Sequence, residues 1–162
     1  GEVISIGKIA DIYAHQGITQ KHKAPGLMNL LDKTSEVMDE APEHSLIFTN
    51  LVDFDEKFGH RRKPVGYAEA LKQFDDYLPT ILGKLGANDL LIITADHGCD
   101  PTWPGTEHTR EYVPVIAYTK DMKPVALGQR ETFADMGQTI AQWFDISKLN
   151  YGEGFAEQLK AK

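Results

Sequence analysis

Short runs of consecutive apolar residues alternate along the chain with longer amphipathic stretches, and this alternation limits the possible folds more than any other feature. The strand-like runs are residues 2–6, 44–54, 89–95 and 112–118. Apolar side chains recur at helical spacing in residues 24–40, 64–85 and 131–144. Strands that are apolar throughout and alternate with helices indicate a mostly parallel sheet covered on both faces. The sequence therefore predicts an α/β fold, a three-layer sandwich. Residues 18–26 and 55–63 are polar and are predicted to be loops.

Composition and charge exclude several classes of protein. A length of 162 residues fits one domain with a real core. A formal net charge of −7 argues against a non-specific nucleic-acid binder. No apolar run approaches the ~20 residues needed to span a bilayer, and the single cysteine, Cys99, excludes an internal disulfide framework. We therefore expect a cytoplasmic protein with neither nucleic acid nor a membrane as partner.

Acidic residues and histidines follow two of the predicted strands. Asp55 and His60 come after the second strand, and Asp96 and His97 come directly after "LLIITA", with His108 in the same loop. Because ligands of open parallel sheets lie at the carboxyl ends of the strands, these side chains can converge on one edge. Oxygen and imidazole ligands together favour Zn²⁺, Mn²⁺ or Fe²⁺ over Ca²⁺. Five ligands exceed one tetrahedral site and indicate two divalent ions, an arrangement used for phosphoryl transfer.

One simpler interpretation and one choice between ligands remain open at this point. A single Asp-His dipeptide is usually a cap or a surface pair, and only the repetition after a second strand favours metal binding. In "VDFD", Asp53 competes with Asp55. One of the two carboxylates is expected to be a ligand, and the other a helix cap or a group that supports the ligands.

Three segments carry a family resemblance. The strings "VDFDEKFGHRR", "TADHGCDPTWPGTEHTRE" and "GKIADIY" resemble the C-terminal part of the bacterial phosphopentomutases, members of the alkaline phosphatase superfamily. The resemblance covers nearly the whole chain. The second string is far more specific than a bare "DHG", which occurs across the superfamily. The related cofactor-independent phosphoglycerate mutases share the Asp/His pattern but not this longer string.

The resemblance implies a fold, a reaction and a set of ligands. The fold is part of an alkaline phosphatase-like core. The reaction interconverts ribose 1-phosphate and ribose 5-phosphate, or their deoxyribose counterparts, through a phosphothreonine. Two Mn²⁺ ions serve it, other divalent cations being possible, and a pentose or hexose bisphosphate activates the full enzyme. The resemblance also favours Asp55 over Asp53. The metal ligands that it implies are Asp55, His60, Asp96, His97 and His108, whose division between the two ions stays open.

The chain departs from the family's pattern at its start. The nucleophilic Thr and one further metal-ligating Asp of the family lie near the N-terminus, before a separate cap domain, and no such region is present here. Residues 1–162 are therefore expected to be the C-terminal portion of the core domain, with the rest of a parent chain as partner. No catalytic residue is predicted, and we expect little or no mutase activity from this chain alone.

Three basic residues are candidates for binding the phosphate of a small phosphosugar. Lys8 directly follows the first strand, where a point charge can meet a phosphate. Arg61 and Arg62 follow His60 and suit bidentate phosphate contacts, although one of two adjacent arginines often points to solvent. Asp100 is expected to brace the loop, and Cys99 to be a packed, reduced thiol. Two further functions remain as alternatives: another metal-dependent phosphatase or mutase of the superfamily, and a non-catalytic metal-binding module.

Overall fold

The computed structural model describes residues 1–160 and divides the chain into two compact units. The first unit holds Gly1–Lys84 and His97–Tyr112, and the second holds Leu85–Asp96 and the chain from Val113 onward. The first unit contains β1 (Glu2–Ile6), α1 (Ile9–Ile12), β2 (Gln20–His22), α2 (Leu27–Glu40), β3 (Ser45–Thr49), a π-helical segment (Phe54–Gly59) and α3 (Pro64–Lys84). The second contains β4 (Leu91–Thr94), β5 (Val115–Tyr118), α4 (Ala134–Trp143) and α5 (Ala156–Leu159).

A three-stranded parallel sheet is the centre of the first unit. β1 lies between β2 and β3, and Ile4 is level with Gln20 on one side and Ile47 on the other. The apolar face of α2 covers this sheet, because Leu30 packs with Ile4 and Ile6 in one fully buried cluster. A second cluster joins α2 to α3 through Leu27, Leu31 and Ala70. The α/β fold and the parallel pairing that the sequence predicts are confirmed in this unit.

Two segments that we expected to be loops are regular structure. Residues 20–22 form β2, an edge strand whose polar side chains hid it from a search for apolar alternation. Its neighbour Thr19 accepts a hydrogen bond from the amide of Val3 (2.9 Å) and donates one to its carbonyl (3.0 Å), which fixes the pairing with β1. Residues 54–59 form the π-helical segment, and Phe54 and Phe58 of this segment pack on the cluster between α2 and α3.

The second unit is built around an antiparallel pair. β4 and β5 pair antiparallel, with Leu91 level with Tyr118 and Thr94 level with Val115. These two strands depart from the mostly parallel pairing that the sequence predicts, since the chain returns through one long loop rather than through a crossover helix. Phe155 and Leu159 are the buried apolar anchors of this unit, and Thr139 of α4 donates a hydrogen bond to Asp135.

Across residues 1–160, no helix combines the length and the apolar character that crossing a bilayer requires.

Candidate metal centre

Three of the predicted ligands meet in the first unit. Asp55 lies in the π-helical segment, His60 directly follows it, and His108 lies in the loop between β4 and β5. Asp55 Oδ1 is 3.3 Å from His60 Nε2 and 3.2 Å from His108 Nε2, and the two nitrogens are 3.1 Å apart. Two ligands of one ion, each bonded at about 2.0–2.1 Å, stand roughly 3 to 3.5 Å from each other. This metal triad therefore has the spacing that a single divalent cation requires.

The surroundings of Asp55 Oδ1 support the same interpretation. The atom is buried and accepts no hydrogen bond from the described residues; its nearest polar neighbours are the two imidazole nitrogens. A buried acceptor left without a partner costs about 1–3 kcal/mol, and more when it is charged. A cation in the triad would offset that cost. The donor set, one carboxylate oxygen and two imidazole nitrogens, fits a divalent metal.

Hydrogen bonding selects the tautomer of His60. Its Nδ1 donates to the carbonyl of Thr106. A carbonyl can only accept, so in the neutral ring the proton is on Nδ1 and the lone pair is on Nε2, the nitrogen that faces Asp55 and His108. Metal-ligating histidines are commonly oriented in this way by a backbone carbonyl.

The π-helical geometry brings Asp55 and His60 together. The amide of His60 donates to the carbonyl of Asp55 at 2.9 Å, the i to i+5 bond of a π-helix. In an α-helix, residues five apart point about 140° away from each other. The wider turn of the π-helix places both side chains on one side of the segment. We had expected residues 55–63 to be a loop, and that expectation did not predict this arrangement.

His97 lies beside the triad without belonging to it. Its ring stacks on that of His108, with centroids 3.7 Å apart and planes at 24°. Its Nδ1 donates to the carbonyl of Gly98 at 3.0 Å, so the lone pair of the neutral ring is on Nε2. Asp96 belongs to the second compact unit. For both residues, metal ligation stays a prediction.

The loop that carries His108 is closed at its base. Gly98 and Thr109 form an isolated antiparallel bridge. A side chain at Gly98 would begin 2.1 Å from the Glu111 carboxylate and 2.7 Å from the Thr109 carbonyl, so only glycine fits. Asp100 accepts hydrogen bonds from the amide (2.8 Å) and the hydroxyl (2.7 Å) of Thr102. These bonds lower the pKa of Asp100, and they confirm that it braces the loop.

Asp53 and Asp55 separate cleanly in the structure. Asp53 Oδ2 accepts from the amide of Leu27 at 2.9 Å and from Lys57 Nζ at 2.8 Å. It therefore caps α2, whose preceding residue Gly26 has no side chain to do so. The absence of Ser, Thr, Asp or Asn before Leu27 is the sequence signal that a distant cap was needed.

Two of the three candidate phosphate ligands contact Glu56, and the third contacts backbone carbonyls. Lys8 Nζ forms an ion pair with the Glu56 carboxylate, and Arg61 Nε donates to the Glu56 carbonyl at 3.2 Å; both basic residues are exposed. Arg62 instead directs its guanidinium to backbone carbonyls. No pattern in the sequence signals these contacts, because three of the four acceptors are 38 to 45 positions away. For all three residues, phosphate binding stays a prediction.

Cys99 packs against the end of the π-helical segment. A Cβ added at Gly59 would lie 2.6 Å from its Sγ. Burial raises the pKa of the Cys99 thiol, as does the charge of Asp55, while Arg62 acts in the opposite direction. The thiol is therefore held protonated, in line with the packed, reduced cysteine that we expected.

Comparison with known proteins agrees with this chemistry. Residues 1–148 match the metalloenzyme superfamily, and the chain belongs to that superfamily. It is 76% identical over 159 residues to a phosphopentomutase of Pseudoalteromonas translucida (strain TAC 125), covering 98% of this chain and 39% of that protein. It is 59% identical over 153 residues to a phosphopentomutase of Yersinia enterocolitica, covering 94% of this chain and 38% of the relative. The chain thus spans about two fifths of the length of these relatives.

Proposed function

We propose that this chain is the metal-ligating C-terminal portion of a phosphopentomutase core, acting with the rest of a parent chain. The observation that carries the proposal is the triad of Asp55, His60 and His108, found in a chain 76% identical to a phosphopentomutase. Both parts are needed, since the triad alone fits other metal-dependent phosphatases and the similarity alone leaves the ligands unassigned.

The ligands divide between two ions in this proposal. The triad holds one divalent cation, and Asp96 and His97 contribute to a second one together with residues of the parent chain. Carboxylate and imidazole ligands suit Mn²⁺, with other divalent ions as possible occupants. When bound, such ions neutralise charge on the phosphoryl oxygens during transfer.

The residues of this chain hold and orient the reacting groups. Asp55 supplies the negative charge that attracts a cation, and the Thr106 carbonyl keeps the His60 Nε2 lone pair directed at the site. Lys8 and Arg61 are exposed, and both contact Glu56 of the π-helical segment. In this proposal they leave Glu56 and bind the phosphate of a pentose phosphate. The nucleophilic Thr and the pentose or hexose bisphosphate activator belong to the parent enzyme, which we place in the cytoplasm.

A coupled assay tests this function. The full-length parent protein, supplied with Mn²⁺, is expected to convert ribose 1-phosphate and deoxyribose 1-phosphate into the 5-phosphates. Asp55→Asn is expected to abolish the conversion, and the 162-residue chain alone is expected to show none. Release of free phosphate without any 5-phosphate would show a phosphatase instead, and normal turnover by the isolated chain would contradict the assignment as a portion of the enzyme.

A crystallographic experiment tests the ligands independently of turnover. Crystals soaked in Mn²⁺ are expected to show an anomalous peak about 2 Å from Asp55 Oδ1, His60 Nε2 and His108 Nε2. A peak elsewhere, or none with Mn²⁺ and Zn²⁺ at millimolar concentration, would remove the triad from the proposal.

A further inference from the structure

Arg62 occupies an unusual position between the two segments that form the triad. It follows His60 by two residues, and its backbone is in the left-handed region, with φ at 50°. That region is unfavourable for residues other than glycine, so the surrounding contacts must hold Arg62 there.

The guanidinium of Arg62 donates to four backbone carbonyls. Nε donates to Gly105 at 2.6 Å and Nη2 to Glu107 at 2.5 Å. Nη1 donates to Asp100 at 2.9 Å and to Gly59 at 3.2 Å. Three of the acceptors are in the loop that carries His108, and the fourth is the last residue of the π-helical segment that carries Asp55. One side chain therefore ties the two segments together.

The acceptors are placed where they affect the ligands directly. Gly105 and Glu107 flank Thr106, whose carbonyl accepts the Nδ1 proton of His60. Glu107 is also the residue before His108. Fixing these two carbonyls sets the direction of the Thr106 carbonyl and the point at which His108 enters the triad.

We propose that Arg62 is a positioning residue that assembles the metal triad by holding the His108 loop against the π-helical segment. This proposal rests on the metal centre proposed above. Arginine is required because its planar fork offers five donors in fixed directions, whereas a lysine ammonium is a point donor that cannot reach four carbonyls.

Two rival roles predict different effects on metal affinity. If Arg62 acted only through its charge, its removal would raise affinity for a cation, because a nearby positive charge repels the metal. If Arg62 served only to bind substrate phosphate, metal affinity in phosphate-free buffer would not change. A positioning role predicts a fall, since groups that orient ligands typically contribute about 10- to 100-fold to metal affinity.

The test is a titration of the 162-residue chain with Co²⁺ in phosphate-free buffer. Calorimetry measures the affinity, and the visible absorption of the bound ion reports its coordination. Arg62→Gln is expected to bind Co²⁺ about 10- to 100-fold more weakly, with an altered spectrum. Arg62→Lys is expected to recover only part of the loss. Arg110→Gln is the matched control, since it removes an exposed arginine of the same loop, and it is expected to bind and absorb as the unmodified chain does.

The outcomes separate this proposal from the one on which it rests. Equal or tighter binding by Arg62→Gln, while Asp55→Asn loses the ion, would overturn the positioning role and leave the metal centre intact. Equal binding by the unmodified chain and Asp55→Asn would overturn both. Circular dichroism checks folding of each variant. If Arg62→Gln does not fold, Arg62→Lys decides the matter: unmodified affinity and spectrum contradict the proposal, and a loss of both supports it.

Discussion

Two carboxylates stand two residues apart in the same turn of the chain, and their surroundings are opposite. Asp53 is 5% exposed and its Oδ2 accepts from a helix amide and from Lys57. Asp55 has a buried Oδ1 that receives no hydrogen bond from the described residues and faces two imidazole nitrogens. The first carboxylate is satisfied by the fold, whereas the second is prepared for a partner from outside. An aspartate thus stabilises the fold at position 53, and at position 55 it is available to bind a cation.

The largest effect is expected from neutralising Asp55. Asp55→Asn removes the only carboxylate of the triad, so Mn²⁺ affinity should fall by more than about 100-fold, beyond the loss typical of residues that only orient ligands. Isothermal titration measures it. Unchanged affinity would mean that the contrast between the two carboxylates is unrelated to metal binding.

Metal removal should destabilise only those variants that keep the Asp55 carboxylate. Mn²⁺ at about 100 times its dissociation constant adds about 2.7 kcal/mol to the free energy of unfolding of a protein that binds it only when folded. A chelator should therefore lower the thermal midpoint of the unmodified chain and of Asp53→Asn, but not that of Asp55→Asn. Differential scanning fluorimetry compares the three.

Asp53→Ala should reverse the pattern of Asp55→Asn. Loss of the acceptor for the Leu27 amide and for Lys57 should cost about 1–3 kcal/mol of stability. Metal affinity should change little, because neither partner of Asp53 is a ligand. Urea denaturation and the same titration measure the two quantities. Asp53→Asn, which keeps an acceptor oxygen, is the conservative control and should cost less.

Asp100 extends the comparison of carboxylates, because its effect on stability should depend on pH. Hydrogen bonds from Thr102 lower the pKa of Asp100, so its folded form releases the proton more readily than the unfolded form does. The contribution to stability is therefore complete above the ordinary carboxyl range and is lost as the pH falls through the lowered pKa. The protection of the Thr102 amide from hydrogen exchange, taken relative to its intrinsic exchange rate at each pH, should be lost as the pH falls through this lowered pKa. Asp100→Ala should lack that protection at every pH; protection retained in that variant would contradict the brace.

The sequence was sufficient to predict those helices and strands whose formation depends on the pattern of apolar side chains. Apolar runs and helical stripes predicted β1, β3, α2 and α3, and the boundaries of α3 differ from the expected 64–85 by one residue. β2 was missed because an edge strand can be held by backbone pairing without apolar side chains. The antiparallel pairing of β4 and β5 depends on where the connecting loop returns, which strand composition does not encode.

Candidate residues for the site could be named from the sequence, but their geometry could not. Residue type and position after strands indicated a set of five candidate ligands, and the family resemblance favoured Asp55 over Asp53; the structure brings Asp55, His60 and His108 of that set together. The role of Asp53 became clear only from the amide of Leu27, 26 positions earlier. The carbonyl contacts of Arg62 were equally invisible, since backbone acceptors carry no residue-type signal.

The π-helical segment has a consequence for how the chain tolerates insertions and deletions. Its wide turn keeps a carboxylate and an imidazole side by side although they are five positions apart. Inserting one residue between positions 55 and 60 would rotate the two groups to different sides of the segment, even though every functional residue type survived. Spacing, and not merely identity, is therefore part of what this stretch of sequence must preserve.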